Sequence, residues 1–190
     1  MNNGHDEMNN AHVPPSGTVQ HVLGICSYLL SYPDEMFQQS LAEIEHEIAQ
    51  LPAHKMTASL QTFCTEAEKL PLPALIDTYV YTFDFGKKTN LYVTYMTSGE
   101  QRERGQDLLY LKNHYKQHGF SATDAELPDY LPLMLEFAGQ VETAAFQPIF
   151  AKYYANVREI SDNLHAQNNV YRHVLAAIVS ALHEVGITDH

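Results

Sequence analysis

Apolar residues recur at steps of three and four residues along most of the chain, and this spacing places them on one face of an α-helix. A convincing alternation of apolar and polar residues, which would indicate a strand, is absent from the sequence. Prolines divide the pattern, because the residue before a proline is disfavoured in a helical conformation. The spacing predicts helices over residues 18–32, 34–50, 57–69, 73–83, 98 or 99–116, 130–138, 143–165 and 170–185.

Single residues predict where some of these helices begin and end. Thr18 and Asp129 are expected to cap the helices that follow them, since their side-chain oxygens can accept bonds from free backbone N–H groups. Pro132 suits the first turn of a helix, where its missing N–H is harmless. Gly86 is expected to end the fourth helix in a left-handed conformation. The stretch "LYVTYM", residues 91–96, is expected to form a helical turn or short helix, because a lone strand has no partner here.

These elements predict an all-α fold, a single-domain helical bundle of about seven to nine helices. The first four helices are expected to form two antiparallel pairs joined by short loops. Residues 1–17 are polar and contain Pro14 and Pro15, so we expect a disordered N-terminal tail, followed by a single helical domain over 18–190. With 45% hydrophobic residues, a chain of 190 residues can bury one sizeable core.

The formal net charge of −12 narrows the range of partners. An acidic protein repels phosphate backbones, so nucleic-acid binding is not expected, whereas a basic peptide is a suitable partner. Residues 87–116 are an exception, with six basic and three acidic side chains. The N-terminus lacks the features of a signal peptide, and no apolar run is long enough to span a membrane. We therefore expect a cytoplasmic protein that does not insert into membranes.

Three patterns that could indicate catalysis or metal binding are weak. "FGKKTN", residues 85–90, lacks both the upstream glycine and the Lys-Ser/Thr step that a phosphate-binding P-loop requires. His114 and His118 are one helical turn apart, as two zinc ligands would be, but no third ligand suggests itself. Cys26 and Cys64 lack metal-type spacing and are expected to be buried free thiols. The sequence therefore predicts no catalytic residue, no metal site and no cofactor.

A group of acidic and aromatic residues is the strongest candidate for a binding site. Asp129 and Glu136 are seven residues apart, which places them on one helical face about 10.5 Å apart along the axis, with Glu126 just before the helix. Such carboxylates can pair with two arginines of a peptide. An apolar floor is expected beside them from Tyr79, Phe83, Phe85, Leu91 and Tyr92. Three alternatives stay open: a capping role for Asp129, an internal ion pair for Glu136, and core positions for the aromatic residues.

Four motifs carry a family resemblance: "YVYTFDFGKKTNLYVTY" (79–95), "RERGQDLLYLKNHYKQHGF" (102–120), "ELPDYLPLMLEFA" (126–138) and "LLSYPDE" (29–35). They resemble the signature segments of the NarJ family, the molybdenum-cofactor assembly chaperones of respiratory nitrate reductase within the wider TorD/DmsD group. Tyr130 stands where relatives outside the nitrate branch often have histidine. The resemblance therefore points to the nitrate branch.

The resemblance implies an all-helical fold and a binding function without chemistry of its own. A NarJ-like chaperone binds the apo catalytic subunit of nitrate reductase, especially its N-terminal twin-arginine-like segment. It keeps that subunit open to iron–sulfur and molybdenum-cofactor insertion and delays its docking on the membrane partner. Proteins that deliver the molybdenum cofactor are further candidate partners.

The resemblance and the charge pattern together predict client-binding residues. Glu126, Asp129 and Glu136 would neutralise peptide cations, while Lys87 and Lys88 would lie in a loop that orders on binding or contacts an acidic surface of the client. The expected client-binding set is Tyr79, Phe83, Asp84, Phe85, Lys87, Lys88, Asn90, Leu91, Tyr92, Glu126, Asp129, Tyr130, Leu131 and Glu136. Alternative functions are a chaperone for another molybdoenzyme of the same group, a helical peptide-binding adaptor, and a nucleotide-dependent enzyme.

Overall fold

The helical periodicity corresponds to eight α-helices in the computed structural model, which describes residues 17–95, 101–121 and 125–188. They are α1 (Thr18–Leu29), α2 (Glu35–Ala49), α3 (Lys55–Ala67), α4 (Leu72–Tyr79), α5 (Gln101–Gln117), α6 (Leu131–Gln140), α7 (Thr143–Ala166) and α8 (Arg172–Glu184). A π-helical turn, Val80–Asp84, continues α4. The predicted all-α fold is confirmed. The expected disordered tail, apart from Gly17, lies outside the described residues, as does the expected helix start at 98 or 99.

Polar side chains cap the N-termini of two helices, α2 and α3. The Asp34 carboxylate begins α2 by accepting a hydrogen bond of 2.7 Å from the backbone N–H three residues later. At α3, His54 and Thr57 form a reciprocal capping box. Thr18 does not cap a helix, because it is the first residue of α1 and follows Gly17, which has the left-handed φ of 93°. The expected cap was therefore wrong by one position.

Helix α6 begins without the cap that was expected from Asp129. Tyr130 occupies the N-cap position and makes no side-chain cap bond. The Asp129 carboxylate instead accepts a hydrogen bond of 2.7 Å from the Thr94 hydroxyl, 35 positions earlier in the chain. Pro132 lies in the first turn of α6, as predicted. A long-range contact has therefore replaced the local cap.

The core is organised around α1 and α8. Helix α1 packs against α6 and α8, α8 also packs against α3 and α7, and α2 packs on α3. The expected division of the first four helices into two antiparallel pairs was wrong, because the main partners of α1 lie in the second half of the chain. Periodicity shows which face of a helix is apolar, but not which other helix covers that face.

A cluster of buried aromatic rings attaches α4 and its π-helical turn to the bundle. The ring of Tyr171, just before α8, lies 5.4 Å from Phe63, 5.8 Å from Tyr79 and 5.0 Å from Phe83. All four residues are at most 5% exposed. The pairs of Tyr171 with Tyr79 and Phe83 are edge-to-face, an arrangement that adds to the stabilisation from burial. The segment from α4 to the π-helical turn is therefore part of the core.

Helices α1 and α6 cross with their backbones in close contact at two glycines. A Cβ atom built on Gly139 would lie 3.1 Å from the Cα atom of Gly24 and 3.3 Å from the backbone carbonyl oxygen of Gln20. These neighbours are backbone atoms, so a side chain at Gly139 would require the helices to separate. A Cβ atom on Gly24 would meet nothing within 4 Å.

The turn after the π-helical segment requires glycine for a reason other than the expected one. Gly86 does not have a positive φ, so the predicted left-handed cap was wrong. A Cβ atom at this position would instead overlap the backbone carbonyl of Thr82 and the hydroxyl of Thr89. The Thr89 hydroxyl donates a hydrogen bond to that same carbonyl. Gly86 thus permits a close contact that closes the turn.

Over residues 91–95, the stretch "LYVTYM" contains a hydrogen-bonded turn, in which Tyr95 N donates to Tyr92 O at 3.0 Å, but no short helix, and it also pairs with another segment. Tyr92 forms an isolated antiparallel bridge with Tyr130, flanked by hydrogen bonds from Val93 N to Asp129 O (3.0 Å) and from Leu131 N to Leu91 O (2.8 Å). Met96 lies outside the described residues. The missing pairing partner is thus supplied by the segment that leads into α6.

The glycine crossing predicts opposite effects for two identical substitutions. Gly139→Ala should lower the free energy of unfolding by about 1–3 kcal/mol, because the added methyl group forces two backbones apart. Gly24→Ala should leave stability unchanged or raise it by about 0.5–1 kcal/mol, because it improves helix propensity in open space. Urea unfolding followed by circular dichroism measures both. Equal effects of the two substitutions would contradict the close crossing.

Candidate peptide-binding groove

A groove with a volume of about 1160 Å³ lies between α1, α2 and α6. Its floor includes the two crossing glycines, Gly24 and Gly139, so that backbone rather than side chain lies at its base. The lining residues are Gly17, Gln20, His21, Gly24, Ile25, Ser27, Tyr28, Ser31, Ser40, Ile44, Glu47, Glu126, Tyr130, Pro132, Leu133, Glu136, Gly139 and Gln140. Three of these, Glu126, Tyr130 and Glu136, belong to the predicted client-binding set.

Three carboxylates line the groove. Glu136 is exposed on α6, and Glu126 is exposed in the segment before it. Glu47 enters from α2 and pairs with the His21 imidazole on α1 at 2.5 Å. The sequence prediction missed Glu47, because the periodicity of α2 placed it only on a polar face. Three carboxylates in one concave surface produce a negative potential that attracts cations.

The apolar part of the groove comes mainly from α1, α2 and α6. Ile25, Tyr28, Ile44 and Leu133 all line it. The Tyr28 ring is 40% exposed and stacks on Phe37, with ring centres 5.6 Å apart. A groove that combines aromatic and aliphatic walls with carboxylates is suited to a ligand that carries both apolar groups and cations.

Tyr130 marks one end of the groove, and Tyr92, which does not line it, packs against Tyr130. Their rings lie 5.1 Å apart, and the Tyr92 hydroxyl donates a hydrogen bond of 2.5 Å to the Glu126 carboxylate. Burial raises the pKa of both phenols, and the negative charge of Glu126 raises both pKa values further. Asp84 is exposed in the π-helical turn, and its charge also raises the pKa of Tyr130. Both phenols therefore remain protonated hydrogen-bond donors at neutral pH.

Most of the expected apolar floor lies in the core instead. Tyr79, Phe83, Leu91 and Leu131 are at most 5% exposed. The Tyr79 hydroxyl lies 3.5 Å from the Tyr130 hydroxyl and donates a hydrogen bond to the carbonyl of Leu30. These residues therefore support the end of the groove from beneath. The alternative of core positions for the aromatic residues is correct for Tyr79 and Phe83.

Asp129 is buried and cannot form the expected surface row with Glu136. It is 0% exposed, and its Oδ2 accepts bonds from Thr94 N (3.3 Å) and Thr94 Oγ1 (2.7 Å), with Arg104 Nη2 3.6 Å away. Its Oδ1 has no hydrogen-bond partner among the described residues. The prediction that Asp129 and Glu136 share one helical face was wrong, because Asp129 precedes the helix and does not follow its geometry.

The remaining predicted residues lie outside the groove, on the segment that links the π-helical turn to the bridge. Phe85, Lys87 and Lys88 are exposed. The Asn90 side chain accepts a hydrogen bond of 2.8 Å from the backbone N–H of Tyr92 and so shapes the local turn. The Thr89 hydroxyl of the "GKKT" stretch is buried and bonded to backbone. It therefore serves the turn rather than a phosphate.

The described residues contain no group of three or more His, Cys, Asp or Glu side chains that could hold a metal ion. The His114 ring lies 2.6 Å from the carbonyl oxygen of Ala145. Burial raises the pKa of the Cys64 thiol to about 12 and raises that of Cys26 as well, so that neither is a thiolate at neutral pH. Across 17–95, 101–121 and 125–188, none of the helices has the length and apolar character needed to cross a membrane.

Comparisons with known proteins place the chain in a family. Residues 46–183 match the family model described as nitrate reductase delta subunit. The chain is 47% identical over 163 residues to the probable nitrate reductase molybdenum cofactor assembly chaperone NarJ of Bacillus subtilis, an alignment that covers 86% of this chain and 89% of that protein.

Two further relatives are matched over smaller shares of their own length. The nitrate reductase molybdenum cofactor assembly chaperone NarJ of Escherichia coli K12 is 38% identical over 63% of this chain and 51% of its own length. The nitrate reductase-like protein NarX of Mycobacterium tuberculosis is 31% identical over 87% of this chain and 25% of its own length. On the family model and the Bacillus relative together, the chain belongs to the NarJ family, the nitrate reductase delta subunit family.

Proposed function

We propose that this protein is a chaperone that binds the apo catalytic subunit of respiratory nitrate reductase and assists insertion of its molybdenum cofactor. The names of the relatives support the nitrate reductase client and the assembly role. The groove between α1, α2 and α6, with its three carboxylates and aromatic wall, is the observation that carries the proposal. Binding takes place in the cytoplasm, before the client docks on its membrane partner, and involves no catalysis by the chaperone.

The ligand of the groove is the N-terminal twin-arginine-like segment of the client. Its guanidinium groups would pair with Glu47, Glu126 and Glu136, since planar guanidinium and carboxylate groups form paired hydrogen bonds. Its apolar side chains would contact Tyr28 and Leu133. The groove volume of about 1160 Å³ exceeds that of most small-molecule sites and suits a peptide segment. Proteins that deliver the molybdenum cofactor are further proposed partners.

Nine of the predicted client-binding residues divide into two roles in this proposal. Glu126, Tyr130 and Glu136 contact the client directly, and Tyr92 holds the Glu126 carboxylate through its hydroxyl. The buried residues act by positioning this surface, through the bridge between Tyr92 and Tyr130. These positioning residues are Tyr79, Phe83, Leu91, Asp129 and Leu131.

The first prediction concerns the groove carboxylates. Isothermal titration with a peptide of about thirty residues, copied from the N-terminus of the nitrate reductase catalytic subunit of the same organism, should show saturable binding with negative ΔCp. Glu47→Gln with Glu136→Gln should weaken binding about 5- to 30-fold, because two partly exposed ion pairs contribute up to about 1 kcal/mol each.

Glu68→Gln with Glu159→Gln is the matched control, because both glutamates are exposed and neither lines the groove. This control removes the same number of charges and should change the affinity less than about twofold, through long-range electrostatics alone. Equal losses in the two double variants would refute a specific role for the groove. No binding by the folded wild-type chain would refute the proposed peptide ligand.

The second prediction separates a positioning role of Asp129 from direct contact with the client. Asp129→Asn and Thr94→Val both weaken the buried hydrogen bond between these residues, and each should lower the free energy of unfolding by about 1–2 kcal/mol. Because Asp129 acts through the position of its neighbours, both variants should reduce peptide affinity to a similar extent. A loss of affinity in Asp129→Asn alone, with Thr94→Val unchanged, would show that the carboxylate contacts the peptide itself.

A further inference from the structure

The loop of residues 85–90 is tied to the π-helical turn that precedes it. The Thr89 hydroxyl is buried against the carbonyl of Thr82, in a turn that only glycine at position 86 permits. The Thr82 hydroxyl in turn accepts a hydrogen bond of 2.6 Å from the side chain of Asn169, between α7 and α8. The far end of the loop is thus attached to a turn that is itself bonded to the bundle.

The loop displays an apolar ring followed by two cations. The Phe85 side chain is 73% exposed, and Lys87 and Lys88 are exposed on the same turn. Neither lysine forms an ion pair with a carboxylate of the described residues. An apolar anchor with adjacent cations is the chemistry that the acidic and aromatic groove is suited to bind. The chain therefore carries a surface that resembles the proposed ligand of its own groove.

The helical segment that leads into the loop contacts the groove. Tyr79, which precedes the π-helical turn, has its hydroxyl 3.5 Å from that of the groove residue Tyr130. None of residues 85–90 lines the groove of its own chain, and Thr89 ties the loop back to Thr82. A second copy can reach the groove, and a contact between the loop of one copy and the groove of the other can be made twice around a two-fold axis.

We propose that the 85–90 loop of one copy inserts into the α1–α2–α6 groove of a second copy, and that this reciprocal contact competes with the client segment. Lys87 and Lys88 pair with the groove carboxylates Glu47 and Glu136 of the other copy, and Phe85 packs on its apolar wall. The net charge of −12 on each copy opposes association, so the dimer is weak and the client displaces it. The proposal rests on the proposed function, since it assigns the same ligand chemistry to the groove.

A charge-reversal cycle on the full chain tests this contact. One variant carries Lys87→Glu with Lys88→Glu, and the other carries Glu47→Lys with Glu136→Lys. Sedimentation velocity over a concentration series should show a weak dimer for the wild type and, for each variant alone, a dissociation constant raised at least about tenfold. A mixture of the two variants should again form a dimer, because acidic loop then meets basic groove and basic loop meets acidic groove.

The client peptide distinguishes failure of this inference from failure of the proposed function. Peptide added to the wild type should shift the dimer to monomer at saturating concentration. A wild type that stays monomeric while it binds peptide, or a mixture that stays monomeric, overturns the loop-in-groove contact and leaves the function intact. A dimer that persists in both variants points to exchange of helices and also overturns the loop-in-groove contact. The contact is likewise overturned if the lysine reversal weakens peptide binding but leaves the dimer unchanged.

Discussion

The groove depends on the close backbone contact between α1 and α6 at Gly24 and Gly139. Since Gly139 has no side chain, the helices approach until backbone atoms meet, and Gly24 leaves the surface beside the crossing open. The walls are then supplied by the residues that flank it on both helices, and by α2, which contributes Ile44 and Glu47. A larger residue at Gly139 would change the separation of the helices and with it the shape of the groove.

A second long-range constraint holds the end of the groove in place. The bridge between Tyr92 and Tyr130 and the buried bond between Thr94 and Asp129 join two segments that are far apart in sequence. Buried polar groups are costly unless they are paired, so these bonds favour one arrangement over others. Tyr92 and Glu126 are thereby fixed beside Tyr130. The segment "ELPDYLP" (126–132) thus contributes Glu126 and Tyr130 to the groove and Asp129 to the interior.

Sequence reasoning located the helices well, because their apolar stripes have a strong period and are separated by prolines. It did not find which helices pack together, since an apolar stripe does not identify its partner. For the same reason it missed Glu47, whose importance comes from facing α6 across the groove. The predicted cap and surface position of Asp129 were wrong because its partner is Thr94, and only the fold brings these two residues together.

The most direct test of the central claim is amide chemical-shift mapping by NMR, with the labelled 21.5 kDa chain titrated with the client peptide. Binding in the groove predicts that the largest shifts occur around residues 20–31, in and just after α1, 40–47 of α2, and 126–140, before and along α6. Shifts confined to residues 85–95 and α5, with α1, α2 and α6 unchanged, would contradict the groove as the client site.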